Sequence, residues 1–376
     1  MGFARNLHLG HAPSSFCLDQ EARAVGLVAD MALQKHSCIP RMHEVPTCCA
    51  GPDAAAANAI IYNPFLPPNA RSMRIGEYSR ECGGVQWREE RIRSLDGTEI
   101  ALCVSEVPSA SKVSADQAKT PVYILYFQGN ASSLPPRLPD LSWILRRTLD
   151  NEPLVSYTMV CLSYRGYWTS HDRPSESGID MDSQAALQWI SQLHEARSEE
   201  ANQSEPIVVL WGQSIGCGFA TNLAAKGKCP SNLQLDALVL ETPFTSTRAM
   251  LQALYPQKWL PYQYLWPFLR NHLDSWSNLG IIAKRFKDRT PGIYIVEAGK
   301  DELVPADHGE KLRQRCEQVG LLVERRKVRG ALHNEAMVRA TGKQALAQSI
   351  SAAVIRAQGL GSSGKEEKDA AERANA

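Results

Sequence analysis

The chain has 376 residues, enough to bury a large core and, at about 150 residues per domain, to hold two or three domains. Its 41 lysines and arginines nearly balance its 40 aspartates and glutamates, so there is no strong positive field to draw in nucleic acid, and nucleic-acid binding is not expected. The 10 cysteines are scattered, without a CxxC pair or histidines at zinc spacing, which predicts reduced thiols and no structural metal site.

Composition divides the chain into three regions. Residues 1–58 mix His, Pro and Cys without sustained periodicity, and we expect a poorly ordered N-terminal extension there. Residues 59–358 carry periodic apolar segments and are predicted to form one folded domain. Residues 359–376 consist mostly of Gly, Ser, Lys, Glu and Ala, which predicts a disordered tail.

Short apolar segments recur along the central region. Two of them, residues 90–93 and 99–104, flank Asp96-Gly97, a dipeptide that tolerates positive φ and favours a hairpin. Six others predict buried strands of a largely parallel sheet, at residues 122–127, 159–163, 207–211, 237–240, 293–298 and 322–328. Helical patterns between several of these strands predict an α/β fold with helices on both faces of the sheet. Right-handed crossovers would then bring the carboxyl ends of the strands to one edge.

An aromatic-rich segment interrupts this alternation between about residues 246 and 290. Its aromatic residues are Tyr255, Trp259, Tyr262, Tyr264, Trp266, Phe268 and Trp276. An insertion at this place would lie over the carboxyl ends of the strands, which favours a small lid that lines an apolar pocket. Packing of the same rings onto the body of the domain is an equally good interpretation.

The pentapeptide Gly212-Gln213-Ser214-Ile215-Gly216 stands between a predicted strand and a predicted helix. This is the pattern of a serine nucleophile on a strand-to-helix turn, where strained dihedrals at Ser214 expose the hydroxyl and side chains at Gly212 and Gly216 would collide. Such a pattern arises by chance in roughly one chain of this length in ten. The pentapeptide alone therefore does not identify a nucleophile, and the residues around it must supply further evidence. A simple helix N-cap is the alternative role for Ser214.

A serine nucleophile needs a base, usually histidine, and the base needs an acid that holds its tautomer. Asp301 follows the fifth of the six buried strands and His333 follows the sixth, so both fall on the edge where Ser214 is expected. Glu302 is an alternative acid. The competing histidines are His171, His194, His272 and His308, but only His333 follows the last predicted strand downstream of the acid.

The oxyanion of a tetrahedral intermediate also needs hydrogen-bond donors. The backbone N–H of Ile215, directly after the nucleophile, is the first that we expect. The second should come from the loop that follows the first buried strand, Gln128-Gly129-Asn130-Ala131, in which Gly129 lets the backbone turn toward the pocket. We predict the N–H of Asn130 as this second donor.

Together these features resemble the α/β-hydrolase superfamily and, within it, the bud-emergence (Bem-type) group of fungal and animal serine hydrolases. The similarity extends from about residue 60 to residue 354. The segments that carry it are Ile61-Tyr62-Asn63-Pro64, Leu66-Pro67-Pro68-Asn69-Ala70-Arg71, Gly129-Asn130-Ala131, Tyr164-Arg165-Gly166-Tyr167, Pro174-Ser175-Glu176-Ser177-Gly178, the pentapeptide around Ser214, Glu241-Thr242-Pro243-Phe244-Thr245-Ser246, Asp301 with Val304-Pro305, and His333-Asn334. The resemblance implies a triad of Ser214, Asp301 and His333, a preference for ester or thioester bonds, and no metal or other cofactor.

Two features depart from the family pattern. Gln128 stands where the family usually has a histidine before the glycine of the oxyanion loop. A backbone donor should survive this exchange, but we expect the hydrogen bonding of the loop to differ. The family also tends to carry a membrane-spanning helix upstream of the segment that resembles residues 60–71, whereas residues 1–58 show no such span, so membrane attachment stays open.

The sequence therefore predicts a metal-independent serine hydrolase that cleaves a carboxylic ester or thioester through an acyl-enzyme. The aromatic insertion and the near-zero net charge favour an apolar acyl group, so the expected partner is a small-molecule or lipid-like ester, or an S-acylated protein, with contact to a membrane surface left open. A catalytically silent scaffold or interaction protein of the same fold is the alternative, and a serine peptidase is a third option. The expected location is intracellular, either cytoplasmic or peripherally membrane-associated.

Overall fold

The computed structural model describes residues 61–109, 120–152, 154–198, 205–254 and 272–374, with side chains as far as residue 360. The predicted N-terminal extension over residues 1–58 lies outside the described residues. So do six of the seven aromatic residues of the predicted insertion, from Tyr255 to Phe268.

A single sheet of eight strands organises the described part of the chain. The strands are β1 (Trp87–Arg93), β2 (Glu99–Val107), β3 (Thr120–Phe127), β4 (Val155–Leu162), β5 (Ile207–Gln213), β6 (Leu235–Glu241), β7 (Gly292–Ala298) and β8 (Val323–Val328). Their order across the sheet is β1-β2-β4-β3-β5-β6-β7-β8. β2 runs antiparallel to β1 and β4, and all other neighbours are parallel. The predicted α/β fold with a mostly parallel sheet is confirmed.

Helices cover both faces of this sheet. They are α1 (Ile75–Tyr78), α2 (Leu138–Asn151), α3 (Glu176–Ser198), α4 (Ile215–Lys226), α5 (Thr247–Leu254), α6 (Ser275–Arg285), α7 (His308–Gln318) and α8 (Ala340–Ala374). None of the helices in the described ranges is both long enough and apolar enough to cross a bilayer. α8 continues into the segment for which composition predicts a disordered tail; the disorder of residues 359–376 and the domain bounds stay predictions.

The core occupies both faces of the sheet because successive side chains of a strand point to opposite sides. In β5, Val208 and Leu210 join one apolar cluster with Phe219 of α4. Trp211, the next residue, joins a second cluster with Leu141 of α2. Each such aliphatic or aromatic side chain stabilises the fold by roughly 1.5–3 kcal/mol when it is fully buried. This two-sided burial explains why the parallel strands read as continuous apolar runs.

Three cysteines that lie in apolar runs are buried members of this core. Cys103 and Cys161 face each other across β2 and β4, and Cys217 lies in α4. All three are free thiols with no exposed surface. Burial raises the pKa of each thiol well above its usual value. They therefore behave as small hydrophobic side chains.

The second half of the predicted insertion packs onto the body of the domain. α6 leads from the insertion back to β7, and the side-chain amide of Asn278 in this helix donates to Asn222 of α4 over 2.7 Å. Trp276, also in α6, stacks with the guanidinium of Arg315, whose central carbon lies 3.9 Å from the ring centroid. For this ring, the structure favours packing on the body over lining a pocket. The prediction of a lid for residues 246–290 otherwise depends on residues outside the described ranges.

The parallel strands end together at one edge of the sheet. Gln213, the last residue of β5, pairs with Glu241, the last residue of β6, and Ala298 pairs with Val328 at the ends of β7 and β8. The backbone N–H of Ser214 donates to the carbonyl of Glu241 over 2.8 Å. The segments that follow these strands are therefore neighbours, although the ends of β5 and β8 are 115 residues apart in the sequence, at residues 213 and 328.

Candidate active site

Ser214 occupies the sharp turn between β5 and α4. Its φ of 53° and ψ of −116° lie in a region that non-glycine residues adopt only under strain. A Cβ at Gly212 would lie 2.5 Å from the backbone nitrogen of Cys217, and one at Gly216 would lie 2.2 Å from the carbonyl oxygen of Phe127. The turn therefore requires glycine at both positions, because the backbone on either side approaches too closely for any side chain.

Three side chains from three separate loops meet beside this turn. His333 Nε2 lies 2.9 Å from Ser214 Oγ, and His333 Nδ1 lies 2.8 Å from Asp301 Oδ2. The other carboxylate oxygen of Asp301 accepts the backbone N–H groups of Leu303 and Val304 over 3.0 Å and 2.8 Å. Because a carboxylate only accepts, His333 Nδ1 carries the hydrogen, and Nε2 is left to accept from the Ser214 hydroxyl. The structure thus brings together the three residues predicted from the sequence.

The alternative acid takes a different position. Glu302 accepts the backbone N–H of His333 over 2.9 Å, whereas the imidazole is bonded to Asp301. The geometry therefore favours Asp301 as the residue that orients the ring and Glu302 as a clamp on its backbone. Within the described residues, Ser214 has no hydrogen bond to any of the competing histidines, His171, His194, His272 and His308.

The two predicted oxyanion donors belong to segments that touch. The close approach of Gly216 to the carbonyls of Phe127 and Gln128 packs the start of α4 against the loop that follows β3. Within the described part of the chain, the N–H groups of Asn130 and Ile215 donate no hydrogen bond to a protein acceptor. Free N–H groups beside a nucleophile are what an oxyanion requires.

The side chain of Asn130 anchors this loop, a role that the sequence did not predict. Asn130 Oδ1 accepts the Tyr167 hydroxyl over 2.7 Å and the backbone N–H of Asn63 over 3.1 Å. Its Nδ2 donates to the carbonyl of Ile61 over 2.6 Å. Asn63 and Tyr167 both lie in motif segments that carry the family resemblance, but only the hydroxyl of Tyr167 was a side-chain signal, because Asn63 contributes its backbone N–H. The sequence does not show that Asn63 and Tyr167 lie close to Asn130 in the fold.

A buried arginine, Arg165, holds the loop that carries Tyr164 and Tyr167. Tyr164 donates its hydroxyl to the carbonyl of Gln128 over 2.7 Å. The guanidinium of Arg165, only 4% exposed, donates to Asp182 over 2.7 Å and to Asp96 over 2.8 Å. Arg165 also holds the pKa of the Asp96 carboxyl well below its usual range. A buried charge with two carboxylate partners fixes the loop in one conformation.

The exchange of the family histidine for Gln128 leaves an amide without partners. The side chain of Gln128 has no exposed surface, and neither its Nε2 nor its Oε1 has a hydrogen-bond partner among the described residues. Its backbone carbonyl, by contrast, is bonded to Tyr164. The loop is therefore held through its backbone and through Asn130, and the Gln128 side chain contributes an unpaired buried group.

A second buried polar residue lies on the other side of the nucleophile. Glu241 has no exposed surface, and its carboxylate accepts hydrogen bonds from the side chains of Trp211 and Gln213, each over 3.3 Å. Burial raises its pKa to about 7, opposed by the positive charge of Arg137 and by the two hydrogen bonds. Glu241 lies in a segment that carries the family resemblance, but its position in the sequence predicts no role for it.

Curated proteins with related sequences are hydrolases and a Bem protein. No family model matches the chain. The chain is 29% identical over 254 residues to lysophosphatidylserine lipase ABHD12 of Danio rerio, which covers 67% of this chain and 57% of that protein. It is 34% identical over 182 residues to Protein bem46 of Schizosaccharomyces pombe, which covers 48% of this chain and 52% of that protein. The chain spans about half the length of these curated relatives.

Solved esterase structures share the fold at low sequence identity. A thermostable esterase from Pseudomonas putida ECU1011 superposes with a TM-score of 0.50 at 17% identity, over 87% of this chain and 94% of that one. A fungal esterase from Rhizomucor miehei superposes with a TM-score of 0.51 at 17% identity, over 84% of this chain and 97% of that one. At this level of identity the likeness establishes the fold.

The unpaired amide of Gln128 leads to a prediction about stability. Gln128→Met should raise the free energy of unfolding by about 1 kcal/mol, because methionine has a similar shape and no amide that loses its water on burial. Gln213→Met is the matched control, since this amide is equally buried but bonded to Glu241 and Tyr126, and its loss should cost about 1–3 kcal/mol. Urea unfolding of the two variants measures both effects. A destabilised Gln128→Met variant would show that the amide is paired in solution.

Proposed function

We propose that this chain, an α/β hydrolase of the Bem-like group, is a serine hydrolase that cleaves carboxylic esters or thioesters through an acyl-enzyme. The observation that carries the proposal is the imidazole of His333, which lies between Ser214 Oγ at 2.9 Å and the Asp301 carboxylate at 2.8 Å. A serine hydroxyl becomes an effective nucleophile when a base accepts its proton, and the base keeps the required tautomer when a carboxylate holds its other nitrogen.

The first half of the proposed reaction acylates Ser214. Its Oγ attacks the carbonyl carbon of the ester while His333 Nε2 takes the hydroxyl proton. The carbonyl oxygen becomes an oxyanion that accepts from the N–H groups of Ile215 and Asn130. When this intermediate collapses, the alcohol or thiol departs with the proton from His333, and the acyl group remains bonded to Ser214 Oγ.

The second half releases the acid. A water molecule gives a proton to His333 Nε2 as its oxygen attacks the acyl carbon. The resulting intermediate uses the same two N–H donors, and its collapse breaks the bond to Ser214 Oγ, which recovers its proton from His333. Throughout the cycle Asp301 stays ionised and stabilises the imidazolium. Its bonds to the backbone of Leu303 and Val304 keep it in place between the two half-reactions.

The backbone at Ser214 supports an enzyme over a scaffold of the same fold. A non-glycine residue in this φ/ψ region costs about 1–3 kcal/mol, and such strain persists where the surrounding structure imposes it. A binding module gains nothing from a strained serine beside a histidine and a carboxylate. A hydrolase gains an exposed hydroxyl within reach of its base.

We extend the proposal to a lipid-like acyl substrate. Two large apolar side chains are exposed in segments that contribute to the site: Phe65, 71% exposed, comes two residues after Asn63, which is bonded to Asn130, and Leu332, 41% exposed, directly precedes His333. The zebrafish relative is named a lysophosphatidylserine lipase, which is consistent with an acyl ester. An enzyme with such a substrate fits the predicted cytoplasmic or peripherally membrane-associated location, which fractionation of cells would test.

Labelling with a fluorophosphonate probe tests the nucleophile. Wild-type protein should be labelled, and Ser214→Ala should abolish labelling because the probe bonds to the activated serine oxygen. Ser105→Ala is the control, because Ser105 is buried in β2 and its hydroxyl has no partner among the described residues. Unlabelled wild-type protein, or a Ser214→Ala variant labelled like wild type, would refute the mechanism and favour the scaffold.

Paired substitutions test the acid. Asp301→Asn should lower kcat by about 10⁴-fold, because an amide stabilises the wrong imidazole tautomer. Glu302→Gln should lower kcat by less than about tenfold, because its amide oxygen can still accept the backbone N–H of His333. Steady-state hydrolysis of a nitrophenyl ester measures both. A larger loss in Glu302→Gln would transfer the role to Glu302.

A panel of acyl chain lengths tests the substrate. With nitrophenyl esters from acetyl upward, kcat/KM should rise up to about fourfold per added methylene until the pocket is filled, given about 0.8 kcal/mol per buried CH₂. Phe65→Ser should flatten this rise, whereas Leu154→Ser, 56% exposed at the opposite edge of the sheet, should not.

Further substrates in the panel separate the remaining options. The additional arms are a lysophospholipid, an S-acyl peptide and a peptide anilide. A flat response to chain length would count against a lipid-like substrate, and faster cleavage of the anilide than of every ester would indicate a peptidase.

A further inference from the structure

Glu241 and Gln213 form a buried polar pair next to the proposed nucleophile. The carbonyl of Glu241 accepts the backbone N–H of Ser214 over 2.8 Å, and its carboxylate accepts the side-chain amide of Gln213 over 3.3 Å. Glu241 has no exposed surface and Gln213 is 1% exposed. One residue thus holds both the backbone of the nucleophile and the side chain that precedes it.

The side chain of Gln213 extends from the turn at residues 212–216, which we call the elbow, to the loop of residues 128–131, which we call the oxyanion loop. Its Oε1 accepts the hydroxyl of Tyr126 over 3.3 Å, which leaves its amide N–H₂ to face Glu241. The same Oε1 lies 3.1 Å from the position that a Cβ would take at Gly129, so the amide packs directly against the loop that carries the Asn130 N–H. The orientation of this amide therefore affects the gap between Ser214 and the second oxyanion donor.

We propose that Glu241 is a positioning residue that, by holding the amide of Gln213, sets the distance between Ser214 and the oxyanion loop. The inference rests on the proposed hydrolase function, because it concerns the same site. The fold alone does not explain a carboxyl group here. A well-packed apolar pair of similar volume would avoid the cost of removing a charged group from water.

The charges around Glu241 connect it to the proposed base. Trp211 and Gln213 donate to its carboxylate, the positive charges facing it belong to Arg137 and to His333 when protonated, and the nearby weak acids are Tyr126 and Cys217. The charge of His333 lowers the pKa of Glu241, and by reciprocity an ionised Glu241 stabilises the imidazolium of His333. That imidazolium forms in both half-reactions.

Protonation of Glu241 weakens this arrangement. Its pKa is raised by burial to about 7, so the carboxyl group gains a proton as the pH falls below neutrality. Protonation removes the negative charge that both donors face, and the oxygen that carries the new hydrogen becomes a weaker acceptor, so the hydrogen bonds from Trp211 and Gln213 weaken. The Gln213 amide is then held less tightly. The acid limb of the activity profile should therefore include the protonation of Glu241.

Glu241→Gln tests the inference, because an amide reproduces the uncharged, poorly matched state at every pH. We expect kcat to fall about tenfold with KM within about twofold of wild type, since a displaced donor slows the reaction without altering the acyl pocket. The acid limb of the pH–kcat profile should lose the roughly tenfold step that protonation of Glu241 near neutrality adds in the wild type. Glu297→Gln is the control: Glu297 is a buried glutamate of β7, bonded to Arg325.

An exchange of the two side chains separates positioning from folding. In Glu241→Gln combined with Gln213→Glu, residue 241 accepts from Trp211 and donates to residue 213, which also accepts from Tyr126, so each of these donors has an acceptor again. We expect kcat within about threefold of wild type. If the Glu241→Gln variant does not fold, the kcat of the exchanged pair still tests whether residues 241 and 213 position the loop.

The outcomes distinguish this inference from the proposed function. Absence of fluorophosphonate labelling in wild-type protein contradicts the hydrolase itself. An active wild type with unchanged kcat and an unchanged acid limb in Glu241→Gln contradicts the positioning role alone. So does an exchanged pair as slow as the single variant, or an equal loss in Glu297→Gln.

Discussion

The close approach of the elbow to the end of β3 is the constraint on which the rest of the site depends. Without side chains at Gly212 and Gly216, the start of α4 lies against the carbonyls of Phe127 and Gln128. This contact brings Ser214 next to the oxyanion loop and imposes a φ of 53° on the serine. Any Cβ at position 216 would push the two segments apart, and the proposed nucleophile and the proposed oxyanion donors would no longer share one site.

Polar contacts hold the surrounding loops in register with this turn. Asn130 ties the loop after β3 to Asn63 and Tyr167, and Arg165 ties the loop of Tyr167 to the buried carboxylate of Asp182. On the far side, Glu241 holds the backbone of Ser214. Such groups are costly to bury unless they are bonded, so they favour a single arrangement of the loops. Preorganisation of this kind would keep the proposed oxyanion donors in place without reorganisation during the proposed reaction.

The fold and the order of the candidate residues along the chain were predictable from the sequence. In a parallel sheet, residues that directly follow the strands all lie at the same edge of the sheet. Asp301 and His333 each follow a strand whose carboxyl end lies beside that of β5, so their arrival near Ser214 follows from the alternation of strands and helices. The sequence predicted Asp301 as the acid with Glu302 as the alternative, and the conformation of the loop is what brings the Asp301 carboxylate to the imidazole. The anchoring of Asn130 was beyond prediction, because Asn63 and Tyr167 are 104 residues apart.

The sequence by itself determined the sheet, the elbow and the residue types that follow each strand, because apolar periodicity and the steric demands of glycine act locally. Only the tertiary structure decided which polar groups meet. The unpaired amide of Gln128, the buried charge of Glu241 and the tyrosine contacts depend on distances between segments far apart in the chain. Hydrogen bonds extend over only about 3 Å, so no pattern along the sequence specifies them until packing has fixed the backbone.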